Sequence, residues 1–238
     1  MARAIPRGWK ELEIKYFLKF TPREVEKPKG AYRALGIRSH CKGTFIRQVE
    51  DPEKVMMESL YEVKKDDLIV NITFAWEGAV ALVNKSDEGA LVSHRFPTFV
   101  FDRSVVIPEY FRYLLSSKRF VYELGVISPG GAGRNRVLDR KDFMHLSFVM
   151  PPVEDQKKIA QILLTWDRAI EFLSKLINEK EAFKKGLMQK TFIAKGRKEK
   201  WHSCKLKDAY LFVNGRAFKP SDWRTQGLPI IRIQNWVI

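Results

Sequence analysis

Several clusters of polar side chains in this 238-residue chain have types and spacings suited to chemistry. Arg38, Ser39, His40, Lys42 and Arg47 surround the turn signal Lys42-Gly43. Cations and short donors on a hairpin tip suit phosphate clamping or contact with base edges in a groove, and they suit a solvated hairpin equally. His94 and Arg95 form a similar, shorter group, with a structural role for His94 also open. A third group, Arg134, Asn135, Arg136, Arg140 and Lys141, lies in and after the glycine-rich stretch that begins Ser128-Pro129-Gly130-Gly131. Flexible backbone beside forked guanidinium and amide donors matches phosphate and base-edge contacts; the plainer reading is a basic surface turn. The glycines do not make a nucleotide-binding loop, because no Gly-Lys-Ser/Thr follows them.

Glu62-Val63-Lys64 downstream of Asp51 has the Asp…Glu-x-Lys form of metal-dependent nucleases, in which carboxylates hold Mg²⁺ and the lysine helps activate water. The same triplet form recurs at Glu13 to Lys15, Asp139 to Lys141 and Asp155 to Lys157, so composition alone accounts for it. With 4 His and 2 Cys, His40 and Cys41 lack the spacing of a zinc site. The Asn-Pro-Pro-Tyr motif of amino-methyltransferases is absent, as is a convincing cofactor loop. The expectation is a chain without catalytic residues, metal or cofactor of its own.

Those clusters sit in a strongly basic chain, with net charge +15 and 12% aromatic residues, which points to a polyanionic partner, most often nucleic acid. The charge is placed unevenly. Residues 1–50 hold 12 Lys/Arg against 5 Asp/Glu, and residues 51–100 hold 5 against 9. Hydrophobic content of 45% supports a real core, and no apolar run reaches the roughly 18 residues of a membrane span. The N-terminal residues lack the apolar run of a secretory signal, and Cys41 and Cys204 are too few for a disulfide framework. A reducing cytoplasm is expected.

Patterning up to about residue 150 reads as a mixed α+β domain. Strands are expected at Ala31 to Ile37, Thr44 to Val49, Leu68 to Phe74, Gly78 to Val83, Leu91 to Ser93, Thr98 to Phe101 and Leu146 to Met150. Pro52 to Leu60 reads as a short helix and Pro108 to Val121 as a longer one with proline in its first turn. Phe74 with Trp76, and Phe96 with Phe99, alternate as strand side chains do, with core packing as their role.

Pro151-Pro152-Val153-Glu154-Asp155-Gln156 then opens a stretch free of Pro and Gly up to Lys185. Ile159, Ile162, Leu163, Trp166, Ile170, Leu173, Leu176, Ile177, Phe183 and Leu187 recur at heptad spacing, with Lys and Glu opposite. From Val153 to about Phe192 a helix would run roughly 60 Å. Such a stripe needs another long helix, which predicts a homodimer or a larger assembly. Past the basic run Lys195 to Lys200 the chain repeats its own opening. Trp9 and Trp201, Phe20 and Phe212, and Lys27-Pro28 and Lys219-Pro220 share an offset of 192, and Ile37-Arg38 matches Ile231-Arg232 at 194. The expectation is one full unit and the opening of a second.

Pro151-Pro152-Val153-Glu154-Asp155-Gln156-Lys157-Lys158-Ile159-Ala160, with Lys185-Gly186-Leu187-Met188-Gln189, resembles the conserved helix of the DNA specificity subunits of type I restriction–modification systems. Asp67 to Val83 and Val92 to Phe99 resemble the middle of that family's target recognition domain. The resemblance implies a mixed α/β target recognition domain over 1–150, a long coiled-coil-type helix over 151–195 for antiparallel pairing, and a linker with an incomplete second domain over 196–238. It implies a non-catalytic subunit that reads one half of a bipartite target in double-stranded DNA. Methyltransferase (modification) subunits would dock along the helix, and a restriction subunit is a further partner. A strand at Ile230 to Ile233 is expected to pack on a partner copy. The alternatives are a coiled-coil nucleic-acid-binding protein outside restriction–modification and, last, a metal-dependent nuclease.

Overall fold

The computed structural model describes residues 5–130, 136–194, 204–211, 213, 215 and 218–227. Arg134, Asn135, Trp201, Phe212, the run 195–200 and the strand expected at Ile230 to Ile233 lie outside them. The chain divides into two units, Met1–Ser174 and Lys175–Ile238.

The first unit carries β1 (Lys10–Glu13), β2 (Leu18–Phe20), β3 (Glu24–Glu26), β4 (Tyr32–Ile37), β5 (Thr44–Val49), β6 (Ser59–Glu62), β7 (Leu68–Val70), β8 (Val80–Leu82), β9 (Leu91–Val92), β10 (Thr98–Phe101) and β11 (Ser147–Met150). Its helices are α1 (Pro108–Leu115), α2 (Lys118–Val126), α3 (Arg140–His145) and the first part of α4 (Val153–Met188). The sheets are ordered β1-β11, β2-β10-β7-β8 and β3-β6-β9-β4-β5. The pairings are antiparallel except β4 with β9, which run parallel.

Strand alternation places the four-stranded sheet in the middle of the unit. Leu68 and Val70 of β7 and Val80 of β8 join a cluster with Phe111, Phe120 and Phe143 from α1, α2 and α3. Ile69 and Ala81, pointing the other way, join Leu35, Ile37 and Val92 of the five-stranded sheet. A sheet covered on both faces explains the unbroken apolar run Leu68-Ile69-Val70. The helical side is an aromatic core. Phe111 meets Phe17, Phe101 and Phe120 with ring centroids 5.6, 5.2 and 5.8 Å apart. Each such pair adds about 0.5–1.5 kcal/mol beyond area burial.

Several local expectations change. The helix expected at Pro52 to Leu60 is a single 3₁₀ turn, Pro52–Lys54, capped by the Asp51 carboxylate, which accepts from Glu53 N at 3.2 Å. β6 then pairs with both β3 and β9, and those ladders override local helix preference. The strand expected through Phe74 stops at Val70. Asn71 Oδ1 accepts from Thr73 N, and a 3₁₀ turn, Ala75–Glu77, closes on left-handed Gly78. Phe74 and Trp76 are therefore turn residues. The helix expected over Pro108 to Val121 breaks at Ser116-Ser117, where Ser117 Oγ accepts from Phe120 N and starts α2. β1, β2 and β3, unforeseen in the sequence, are short.

The second unit holds the rest of α4, π-helical turns at Gln189–Ala194, α5 (Leu206–Ala209) and a 3₁₀ turn at Pro220–Asp222. At 36 residues α4 is about 54 Å long.

Candidate nucleic-acid interface

The segment from Asn71 to Gly78, which crosses from β7 to β8, is where the polar loops meet. The β4–β5 hairpin keeps register from Tyr32↔Val49 to Ile37↔Thr44, and its tip is anchored on this segment. His40 N donates to Glu77 O at 2.7 Å, Cys41 N to Gly78 O at 2.9 Å, and Ser39 Oγ to Glu77 Oε2 at 2.8 Å. The Cys41 thiol donates to Leu115 O at 3.2 Å, and burial pushes its pKa up. His40 and Cys41 adopt φ of 60° and 54°, a conformation the anchoring bonds hold. Arg38 donates to Thr44 O and lies 5.1 Å from the centre of the Phe45 ring. The side chains of Arg38, His40 and Lys42 remain exposed, while the Ser39 hydroxyl is engaged with Glu77.

The other loops reach the same segment. Ile72 N donates to Arg95 O at 3.1 Å, which places the His94-Arg95 turn beside it. Leu138 N donates to Ile72 O at 2.8 Å, which ties down the chain between Arg136 and α3. The Arg136 guanidinium lies 5.4 Å from the Trp76 ring centre, and Arg140 lies 4.8 Å from that of Phe20. Arg140 and Lys141 open α3, whose cap Asp139 accepts from Lys141 N at 2.6 Å and Asp142 N at 3.2 Å. His94 and Arg140 share a cavity of about 500 Å³ with Phe20, Tyr61 and Phe96. Arg47, on β5, shares a different cavity, of about 540 Å³, with Ser93 and Phe96, which flank the His94-Arg95 turn. Tyr32, Phe45 and Met57 line it too.

The expected core role of the aromatics divides. Phe99 is 1% exposed, and Phe74 and Phe96 pack against the cluster between the sheets. Trp76 is half-buried beneath Arg136, and its indole N–H has no hydrogen-bond partner among the described residues. Of the nuclease-like pattern, the Asp51 carboxylate has another role: it caps its own turn and pairs with Lys54 at 3.0 Å. Among the described residues no three His, Cys, Asp or Glu side chains are grouped to hold a metal ion.

α4 has two working faces. On one, Gln156 is 0% exposed: its Oε1 accepts from Ile107 N at 3.0 Å, and its Nε2 donates to Val105 O at 2.8 Å and Pro151 O at 2.9 Å. Three and more turns on, Tyr113 of α1 donates its hydroxyl to Asp167 at 2.7 Å. Burial, then this bond, pushes the Tyr113 pKa up to about 12. These fastenings were missed in the sequence; the one signal was a glutamine in the first turn after Pro-Pro. On the other face Ile162, Trp166, Ile170 and Leu173 are 55–66% exposed, while Ile159 and Leu163 are half-buried. Leu176, Ile177, Phe183 and Leu187 continue as exposed apolar residues in the second unit. Among the described residues no helix is long and apolar enough to cross a membrane.

Fold and loops together define a three-sheet α+β module with basic loops gathered at one segment and a long helix leading out of its last strand. The family model for the type I restriction modification DNA specificity domain matches residues 8–182, and the chain belongs to that family. The type I restriction enzyme MjaVIII specificity subunit of Methanocaldococcus jannaschii is 25% identical over 249 residues, covering 97% of this chain and 56% of that protein. A putative type I restriction enzyme MjaX specificity subunit from the same organism is 30% identical over 91 residues, 38% of this chain and 21% of the relative. The chain thus spans about half the length of the first of these relatives, or less of the second. In fold it is similar to the HsdS subunit from Thermoanaerobacter tengcongensis, with TM-score 0.59 and 17% identity over 79% of this chain and 49% of that one.

Proposed function

We propose that this chain is the sequence-reading part of a type I restriction–modification complex and recognises one half of a bipartite DNA target. The observation that carries the reading is the convergence of distant basic loops on Asn71 to Gly78: the Arg38–Lys42 tip, His94-Arg95, and Arg136 with α3. Residues 1–150 read DNA, 151–195 pair helices, and 196–238 form a linker and the opening of a second, incomplete recognition domain. Arg38, His40, Lys42, Arg95, Arg140 and Lys141 supply exposed donors and Arg136 a half-buried one; Arg134 and Asn135, proposed for the same role from sequence, lie outside the described residues. Catalysis belongs to methyltransferase subunits docked along α4, with a restriction subunit as a further partner, in the cytoplasm.

A second copy of the chain, antiparallel and two-fold related, covers the strip formed by Ile162, Trp166, Ile170 and Leu173. Its support is the exposure of those four side chains on one helix face. Two recognition domains at opposite ends of such a pair read an inverted bipartite site.

The test is the triple variant Arg95→Ala, Arg136→Ala, Arg140→Ala, assayed with modification subunits. Removing three cations that each neutralise a phosphate lowers the slope of log affinity against log salt by about 2.7. A variant that binds with unchanged affinity and slope refutes this surface.

A further inference from the structure

We propose that the cavity between β2, β3, β6 and α3 captures a nucleobase that has left the duplex stack. The inference rests on the DNA-reading function above and adds a second kind of recognition to it. The cavity, about 500 Å³, falls within the roughly 300–1,000 Å³ of small-molecule sites. Its position is built by the fold. Phe20 ends β2 on the four-stranded sheet, and Tyr61 comes from β6 on the five-stranded one, so the cavity occupies the crease where the chain passes between sheets. Phe96 enters from the His94-Arg95 turn.

The lining has the composition a base requires. Phe20, Tyr61 and Phe96 offer rings, and Phe20 is 39% exposed although it packs on Phe99. The Arg140 guanidinium, 4.8 Å from the Phe20 ring centre, adds a planar cation on which a base also stacks. Glu24 and His94 complete the rim, and neither side chain has a hydrogen-bond partner among the described residues. A carboxylate acceptor, an imidazole and guanidinium donors are the groups that read a base edge once it is unstacked. Arg95 follows His94 directly, and Leu138, bonded to Ile72, holds Arg136 on the approach, so the phosphates flanking an extruded nucleotide meet cations.

The experiment uses the full chain and hairpin duplexes of one sequence, either fully paired or carrying one bulged 2-aminopurine. A bulged base has already left its pairing, so its capture is read directly. The bulged duplex should bind about tenfold more tightly than the paired one, the worth of one aromatic stack, and its fluorescence should change on binding. Phe20→Leu keeps apolar bulk against Phe99 without the ring, and Tyr61→Leu does the same on the other wall. In each the affinity ratio should fall toward one. Equal affinity for both duplexes overturns the base pocket and leaves duplex reading standing. A preference that survives both substitutions also overturns it. If neither duplex binds at low salt, the DNA-reading proposal falls and the pocket with it.

Discussion

Replacing Gln156 by Leu tests whether one buried side chain fixes the departure of α4 from the recognition domain. Leucine nearly conserves volume but removes three hydrogen bonds, from Ile107 N and to Val105 O and Pro151 O. Water does not reach the site to replace them, because Gln156 is fully buried. Three bonds at about 1 kcal/mol net each, plus about 1–2 kcal/mol for an orphaned buried donor and less for carbonyls with spare lone pairs, give a loss of roughly 4–6 kcal/mol. That is a large share of the roughly 5–15 kcal/mol that holds a domain together. Ile107 is also the residue before α1 and has no side-chain cap of its own, so the damage should spread to that helix. The assay is urea unfolding followed by amide exchange at Phe111 and Phe143, which report the core directly. Gln156→Glu gives a signed companion result. Its carboxylate would face two carbonyls in a dry site, raising its folded-state pKa above the unfolded value of about 4.3. The variant therefore keeps its stability below that pH and loses it as pH rises. A Gln156→Leu protein destabilised by under about 1 kcal/mol refutes the reasoning.

Gly78→Ala forces a side chain onto φ +73°, with its Cβ 3.2 Å from Cys41 Sγ. A loss of about 1–2 kcal/mol is expected by thermal unfolding, with faster amide exchange at His40 and Cys41; unchanged exchange would show that the tip is not anchored there. Tyr113 is held neutral in the folded chain up to about pH 12, whereas an unfolded tyrosine ionises near 10. Its contribution is present below pH 10 and disappears between pH 10 and 12, so the gap in urea midpoint between wild type and Tyr113→Phe should shrink over that window; a constant gap contradicts it. Trp166→Asp with Leu173→Asp should convert the proposed dimer to a monomer in light scattering, since each side chain contributes roughly 1.5–3 kcal/mol when buried. A monomeric unmutated chain would count against the pairing.

Sequence by itself determined α4, since 3.6-residue periodicity, proline at the start and the absence of Gly and Pro act within a few residues of one another. It determined the β4–β5 hairpin and β10 for a related reason: each alternates within its own length and is bounded by its own turn signals. The α+β class and the separation of basic loops from the apolar stripe were legible in the same way. Other features were decided elsewhere in the chain. Ser59 to Glu62 became a strand because β3 and β9, far away in sequence, offered ladders on both sides. Phe74 and Trp76 left the strand because Asn71, Gly78 and the hairpin tip turned the backbone between them. The sequence nominated Arg38, Arg95, Arg136 and Arg140 one loop at a time. Their meeting at Ile72 to Glu77 needed hydrogen bonds spanning 38 residues from Ser39 to Glu77 and more from Leu138 to Ile72. Periodicity carries no information about such long-range bonds, because a loop's place is set by the two sheets it joins. Gln156 was visible as part of a motif, but only the packed interior showed that its amide closes three backbone hydrogen bonds and so sets how the helix leaves the domain.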